Sequence, residues 1–250
     1  MKLNLIYRCF LIIILILGNS KIFSQKNKIA LFSNYNSIPT KFYPYLKKGK
    51  TADFNIAIAK NIITEKSGAF NFIFQFENKE WELILEKNDI FSPDFFTTTG
   101  TNPTKKFIYE NTAMHYKGFV KGKPHSFAAV SIMKDKLVAV IADEKGNINI
   151  GAINTAEAKL ASKHIIYREA DLLITNDFEC GTNEVLNNFN GPIPSYNNQA
   201  PLTATINEEA VDIYFEADYQ TYLNNGSNVT NTLNYVTALF NVVKQLYEND

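Results

Sequence analysis

The chain is poor in the residues that most often carry chemistry. Its 250 residues include two cysteines, three histidines and one tryptophan. It also has no excess charge, since 25 Lys and Arg balance 25 Asp and Glu. A neutral balance removes the electrostatic basis for holding nucleic acid or an anionic membrane surface. None of the histidines stands one helical turn from another, as two ligands on one helix face would. His115 and His125 are ten residues apart, which points to structural or surface roles. No internal repeat is present. At 46% hydrophobic and 20% charged, the composition is that of an ordinary globular protein of one or two domains.

One stretch stands outside that description. Lys2 and Arg8 give residues 1–24 a positive start, residues 9–17 are an unbroken apolar run, and 18–24 form a short tail ending in Ser24. This is the layout of a secretory signal peptide with cleavage near Ser24 and Gln25. The run falls short of the ~20 residues that span a bilayer. Cys9 opens the run, away from the cleavage end, so it is not placed for lipid attachment. Export implies a secreted protein with no membrane association after cleavage, and it leaves Cys180 as a thiol with no intrachain disulfide partner.

Residues 26–66 mix aromatic, polar and apolar positions without a clear period. From Phe70 the pattern sharpens: Phe70, Phe72, Phe74 and Phe76 alternate with other residues, 77–80 are polar, and Trp81, Leu83 and Leu85 resume the alternation. That predicts a β-hairpin with one face on a core, which outweighs a surface platform for stacking bases or sugars. Residues 107–120, 127–133, 137–142 and 147–150 predict further strands of an antiparallel meander, with turns at 134–135 and 144–146. A short helix over 155–164 and a strand over 165–174 follow. Beyond Cys180, residues 187–209 turn to Asn, Pro, Gly and Ser, the composition of a linker.

The end of the chain is better patterned. Val211, Ile213, Phe215 and Ala217 alternate with polar or larger residues, predicting a strand. After Ser227 as cap, Val229, Leu233, Val236, Phe240, Val243 and Leu246 recur along one face of a helix. A strand and a helix are too little to fold alone. Leaving about ten such side chains uncovered, at ~1.5–3 kcal/mol each, forgoes as much as the ~5–15 kcal/mol that stabilises a whole domain. The segment is therefore expected to lean on the preceding sheet or to be the least stably packed part of the chain.

Several stretches resemble the reprolysin-type (adamalysin) metalloprotease precursors. The segment "NFIFQFENKEWELILEKNDIFSPDFF" (71–96) resembles the early part of that family's propeptide. The segment "HYKGFVKGKPHSFAAVSIMKDKLVAVIADEKGNINIGAI" (115–153) resembles a later part, with Tyr116, Gly118, Val120, Gly122, Pro124, Ser126 and Gly146 carrying the match. "VDIYFEADYQTYL" and "YVTALFNVVKQLY" resemble the first strand and first helix of the metzincin catalytic domain. Together these cover about half of the chain after residue 24, in the family's order.

The resemblance implies an α+β protein: a mainly antiparallel β-sheet propeptide domain (25–186), a linker (187–209), and an incomplete α/β metzincin start (210–250) behind the signal peptide (1–24). It implies a role in assisting folding of a zinc metalloendopeptidase domain and holding it latent, in cis or in trans. Cys180 followed by Gly181 is placed to act as a switch, its thiolate ligating the zinc of the complete protease. Asp212 matches an acidic residue that helps hold a structural calcium. The family's zinc motif H-E-x-x-H is absent, because Tyr116, Ser126 and Ile165 follow the three histidines. No catalytic residue is expected, and the chain should have no peptidase activity alone. A secreted β-rich binding module and a trans-acting protease inhibitor are the alternatives.

Overall fold

The computed structural model describes residues 27–107, 112–153, 162–174 and 213–249. Among them one ten-stranded sheet dominates. Its strands are β1 (Lys28–Ala30), β2 (Phe32–Ser37), β3 (Lys50–Phe54), β4 (Ala69–Phe76), β5 (Lys79–Lys87), β8 (Ala113–Val120), β9 (Phe127–Met133), β10 (Leu137–Asp143), β11 (Gly146–Ala152) and β12 (Lys163–Arg168). The protein is thus α+β in character, with β-structure in the majority.

The spatial order is β1-β4-β5-β8-β9-β10-β11-β12-β3-β2, and every ladder is antiparallel except β1 with β4. The first and last strands of that order are separated in sequence by Leu31 alone. The two edges of the sheet are therefore one continuous run of chain, and the sheet is rolled into a barrel. The rings confirm the closure: Phe32 of β2 lies 5.9 Å from Phe72 of β4 and 5.7 Å from Phe54 of β3.

Alternation decides which side chains fill the barrel. The inward set includes Phe70, Phe72, Phe74, Trp81, Leu83, Leu85, Tyr116, Val130, Ile132, Leu137, Ile141 and Ile148, all essentially inaccessible to solvent. Register keeps them level, with Phe74 opposite Trp81, Tyr116 opposite Val130, and Ile141 opposite Ile148. The phenylalanine alternation is thus core, as the sequence predicts. Gly118 sits opposite Leu85 where β5 and β8 crowd together, and a Cβ there would lie 1.9 Å from the Ile84 carbonyl oxygen.

Helix α1 (Ile56–Glu65) lies at the end of the barrel where β3 stops and β4 starts. Asn55 caps it by accepting from Ile58 N, and Lys66 ends it in the left-handed conformation. Ala59 and Ile62 point into the barrel core. At the opposite end Arg168 donates to Glu77 (2.6 Å) and to the fully buried Asp143 (3.0 Å), beside Trp81. The β4–β5 turn has Glu77 and Asn78 both at positive φ, the form that suits a two-residue hairpin. A separate hairpin, β6 (Thr97–Thr99) with β7 (Asn102–Phe107), stands apart from the sheet. Among the described residues the other α-helices are α2 (Tyr219–Asn224) and α3 (Val229–Asn249).

The predicted hairpin and meander are present, but the strand predicted over 107–120 is β8 only from Ala113: Phe107 ends β7, and 108–111 lie outside the described residues. Residues 28–54, where no period is legible, supply the three strands that close the barrel. The strand predicted over 165–174 is β12, which begins at Lys163 and yields to a 3-10 turn after Arg168. Most of the helix predicted over 155–164 lies outside the described residues, and its last two positions belong to β12. The strand predicted over 211–217 is not formed where it is described: 213–218 have no regular secondary structure. A strand needs a neighbouring edge, and the barrel closes on itself elsewhere. Ser227 is not the helix cap; it adopts positive φ, and Asn228 accepts from Asn231 N instead.

Candidate functional site

The site that distinguishes this molecule is the seat of α3 on the outer face of β8, β9 and β10. That face of β8 and β9 carries Ala113, His115 and Lys117 opposite Met133, Ser131 and Ala129. An exposed barrel face of this kind would ordinarily meet water. Here α3 covers it, and the helix does so with its polar side.

Thr232, Asn234, Thr237, Asn241 and Gln245 are buried, with Ala238 the apolar member of the same stripe. Asn241 is completely enclosed. Its amide donates to Tyr116 O (3.2 Å), Val130 O (3.4 Å) and Ser131 Oγ (3.3 Å), and its oxygen accepts from Asn88 Nδ2 (2.8 Å). Asn234 pairs with Thr112 Oγ1 (2.8 Å), while Lys244 Nζ reaches Asn88 Oδ1 (3.2 Å) and Asp89 O (3.3 Å). Glu248 accepts from Lys117 (3.2 Å). The apolar part of the contact is small: Ala238 against Ala113 and Met133, with Val138 beside them.

The opposite side of α3 is only partly covered among the described residues: of the predicted stripe, Leu233, Val236 and Phe240 are half-buried and Val229, Val243 and Leu246 are exposed. Leu239, Val243 and Leu246 are 45%, 42% and 45% exposed. The preceding segment shares this condition, with Ile213 and Phe215 about half exposed and Tyr214 almost entirely so. The Phe215 ring touches Phe240 at 5.1 Å, which joins this segment to the helix. The apolar stripe is legible in the sequence, but it is not the side that meets the barrel: the fully buried positions of α3 are the polar ones and Ala238.

His115 lies beneath α3. Its Nδ1 is 2.9 Å from Ser131 Oγ, the same hydroxyl that Asn241 touches, and Phe91 packs against the ring at 5.9 Å. Its Nε2 is buried without a hydrogen-bond partner. Burial pushes the imidazole down to about 4 from its ordinary 6.5. His164 is separate: it faces the barrel interior between Phe32 and Phe54, accepts from Leu137 N at 2.9 Å, and is pushed down to about 4 by burial as well. His125 is exposed on the β8–β9 turn.

The predicted site residues Cys180 and Asp212 lie outside the described residues. Among the described residues no three His, Cys, Asp or Glu side chains converge as a metal would require, and no helix is long and apolar enough to cross a membrane. Three single histidines in three different settings do not fit a zinc centre, and the sequence has no H-E-x-x-H. The residues that build the seat, Asn88, Ser131, Asn234 and Asn241, belong to no recognisable motif. Their signal is an uncharged polar stripe at helical spacing, opposite the apolar one. No protein-family model matches the chain, and no curated protein matches it.

Proposed function

We propose that the chain is the exported N-terminal part of a reprolysin-like zinc metalloprotease precursor. In this reading the barrel is the propeptide domain, and residues 213–249 belong to the start of the protease domain that it chaperones and keeps latent. The observation that carries the reading is the orientation of α3. A helix that belonged to the barrel would bury its apolar stripe there, because each such side chain gains ~1.5–3 kcal/mol on burial. This helix instead rests on the barrel mainly through amides and hydroxyls and leaves Val229, Val243 and Leu246 of its apolar stripe open to another body. A polar seat of modest apolar area suits a contact that must later be released.

Zinc belongs to that other body, and no step of its chemistry runs through the residues described here. Cys180 would lend a thiolate to the metal, Asp212 a carboxylate to a calcium, and the 187–209 linker would be the place of release. The coding sequence that follows codon 250 tests the proposal. A continuing or shifted frame encoding H-E-x-x-H supports it. A stop followed by unrelated sequence overturns the cis form, and failure of the purified chain to retain any metalloprotease would then overturn the trans form.

A further inference from the structure

We propose that the seat of α3 is a proton-operated latch: a proton taken up by His115 drives the helix off the outer face of β8 and β9. The inference stands on the geometry of the joint and does not require the protease reading. If that reading holds, the latch becomes a step in release.

In the docked state the ring has one partner, the Ser131 hydroxyl at 2.9 Å, and its Nε2 has none. A neutral imidazole tolerates this arrangement, since one nitrogen is served and the other is a single unsatisfied atom. An imidazolium carries N–H on both nitrogens. The Nε2–H would have no acceptor, and the positive charge would have no anion in contact with it, which is the costly way to bury an ion.

The surrounding charges do not relieve it. From β8 comes Lys117, and from α3 come Lys244 and Glu248; that carboxylate is already engaged by both lysines at 3.2 and 3.4 Å. β5 presents Glu86 and Lys87, both exposed, and the loop after it brings Asp89, held by Lys87 at 2.5 Å, and the exposed Asp94. On β9 the facing residues are Ala129, Ser131 and Met133, none of them ionisable. The proton can be accommodated only if water reaches Nε2, and what lies over His115 on this face is α3 together with the Phe91 ring.

The helix is also the part that can leave. Its contact is a set of exchangeable hydrogen bonds around Asn241 with Ala238 as the fully enclosed apolar residue, whereas the barrel strands are tied by a continuous aromatic and aliphatic core. His164 provides an internal control, because its protonation opposes the barrel interior and not the seat.

The test is hydrogen exchange on the full chain at pH 7 and pH 5, corrected for intrinsic rates. Taking an undocked His115 at its ordinary value, the undocking constant of α3 should rise about 20-fold between the two pH values, and α3 should open more readily than β10 and β11 at both. Replacement His115→Gln should abolish that step, and His164→Gln should leave it in place. Unchanged protection of α3 at pH 5 overturns the proposal. So does exchange of α3 only together with β10 and β11, in one global opening, or a step of full size in the His115→Gln variant. Should that variant fail to fold, the wild-type comparison of α3 with β10 and β11 decides alone.

Discussion

At the scale of residues, three positions hold more than their own side chains. A methyl group at Gly118 meets the Ile84 carbonyl oxygen, so β5 and β8 must part to admit it. Gly118→Ala should cost about 3 kcal/mol or more in denaturant unfolding, at the upper end of what overpacking a core costs. Arg168→Met would leave the fully buried Asp143 with Lys123, at 2.9 Å, as its remaining cationic partner. A loss of about 3 kcal/mol is expected, measured in the same way. Asn241→Ala strips the seat of up to four hydrogen bonds, and it should weaken α3 docking by about 1–3 kcal/mol without lowering the stability of the barrel. Hydrogen exchange resolves the two. None of these roles can be read from residue type: an asparagine in a helix and a glycine in a strand become informative only when the facing strand is known.

At the scale of elements, the sequence exposes periods but not partners. The hairpin β4–β5 and the strands β9, β10 and β11 are legible because their alternation is strong and their turns are short. The run 28–37 is not, because Asn34 at positive φ and a register shift between Ser33 and Asn36 break its alternation at the place where it closes the barrel. For α3 the period is right, but the side that meets the barrel is the polar one. An apolar stripe says that a face is to be buried, but it does not say by what. Consequently Leu239→Ser or Val243→Ser should change the stability of this chain by no more than about 0.5 kcal/mol, as at an ordinary surface site. The same substitutions should reduce binding of an apolar dye such as ANS.

At the scale of the whole molecule, acid should act in two stages. Both buried histidines are held near 4 in the fold against an ordinary 6.5, so the unfolded chain binds protons that the native chain refuses. Their stabilising effect is complete above about pH 6.5 and is lost as pH falls from there toward 4, each on the order of 3 kcal/mol. Carboxylates respond later. Burial pushes Glu82 and Asp143 up, but hydrogen bonds from Lys28, Lys121 and Asn71 to the first, and from Lys123 and Arg168 to the second, hold both at about 2. Their contribution is present above the usual carboxylate range and is lost as pH drops through it toward 2. Unfolding followed from pH 8 to 2 should thus weaken first across 6.5–4 and again below 4, and replacing His164 with Gln should diminish the first stage.

The central claim is that α3 turns its polar side to the barrel and its apolar side outward, and single-cysteine labelling reads this directly. With Cys9 and Cys180 replaced by Ser, Leu239→Cys should react with a soluble thiol reagent nearly as fast as a free thiol, and Thr237→Cys at least about tenfold more slowly. Fast labelling at 237 with protection at 239 would mean that the apolar stripe faces the barrel, and would contradict the account.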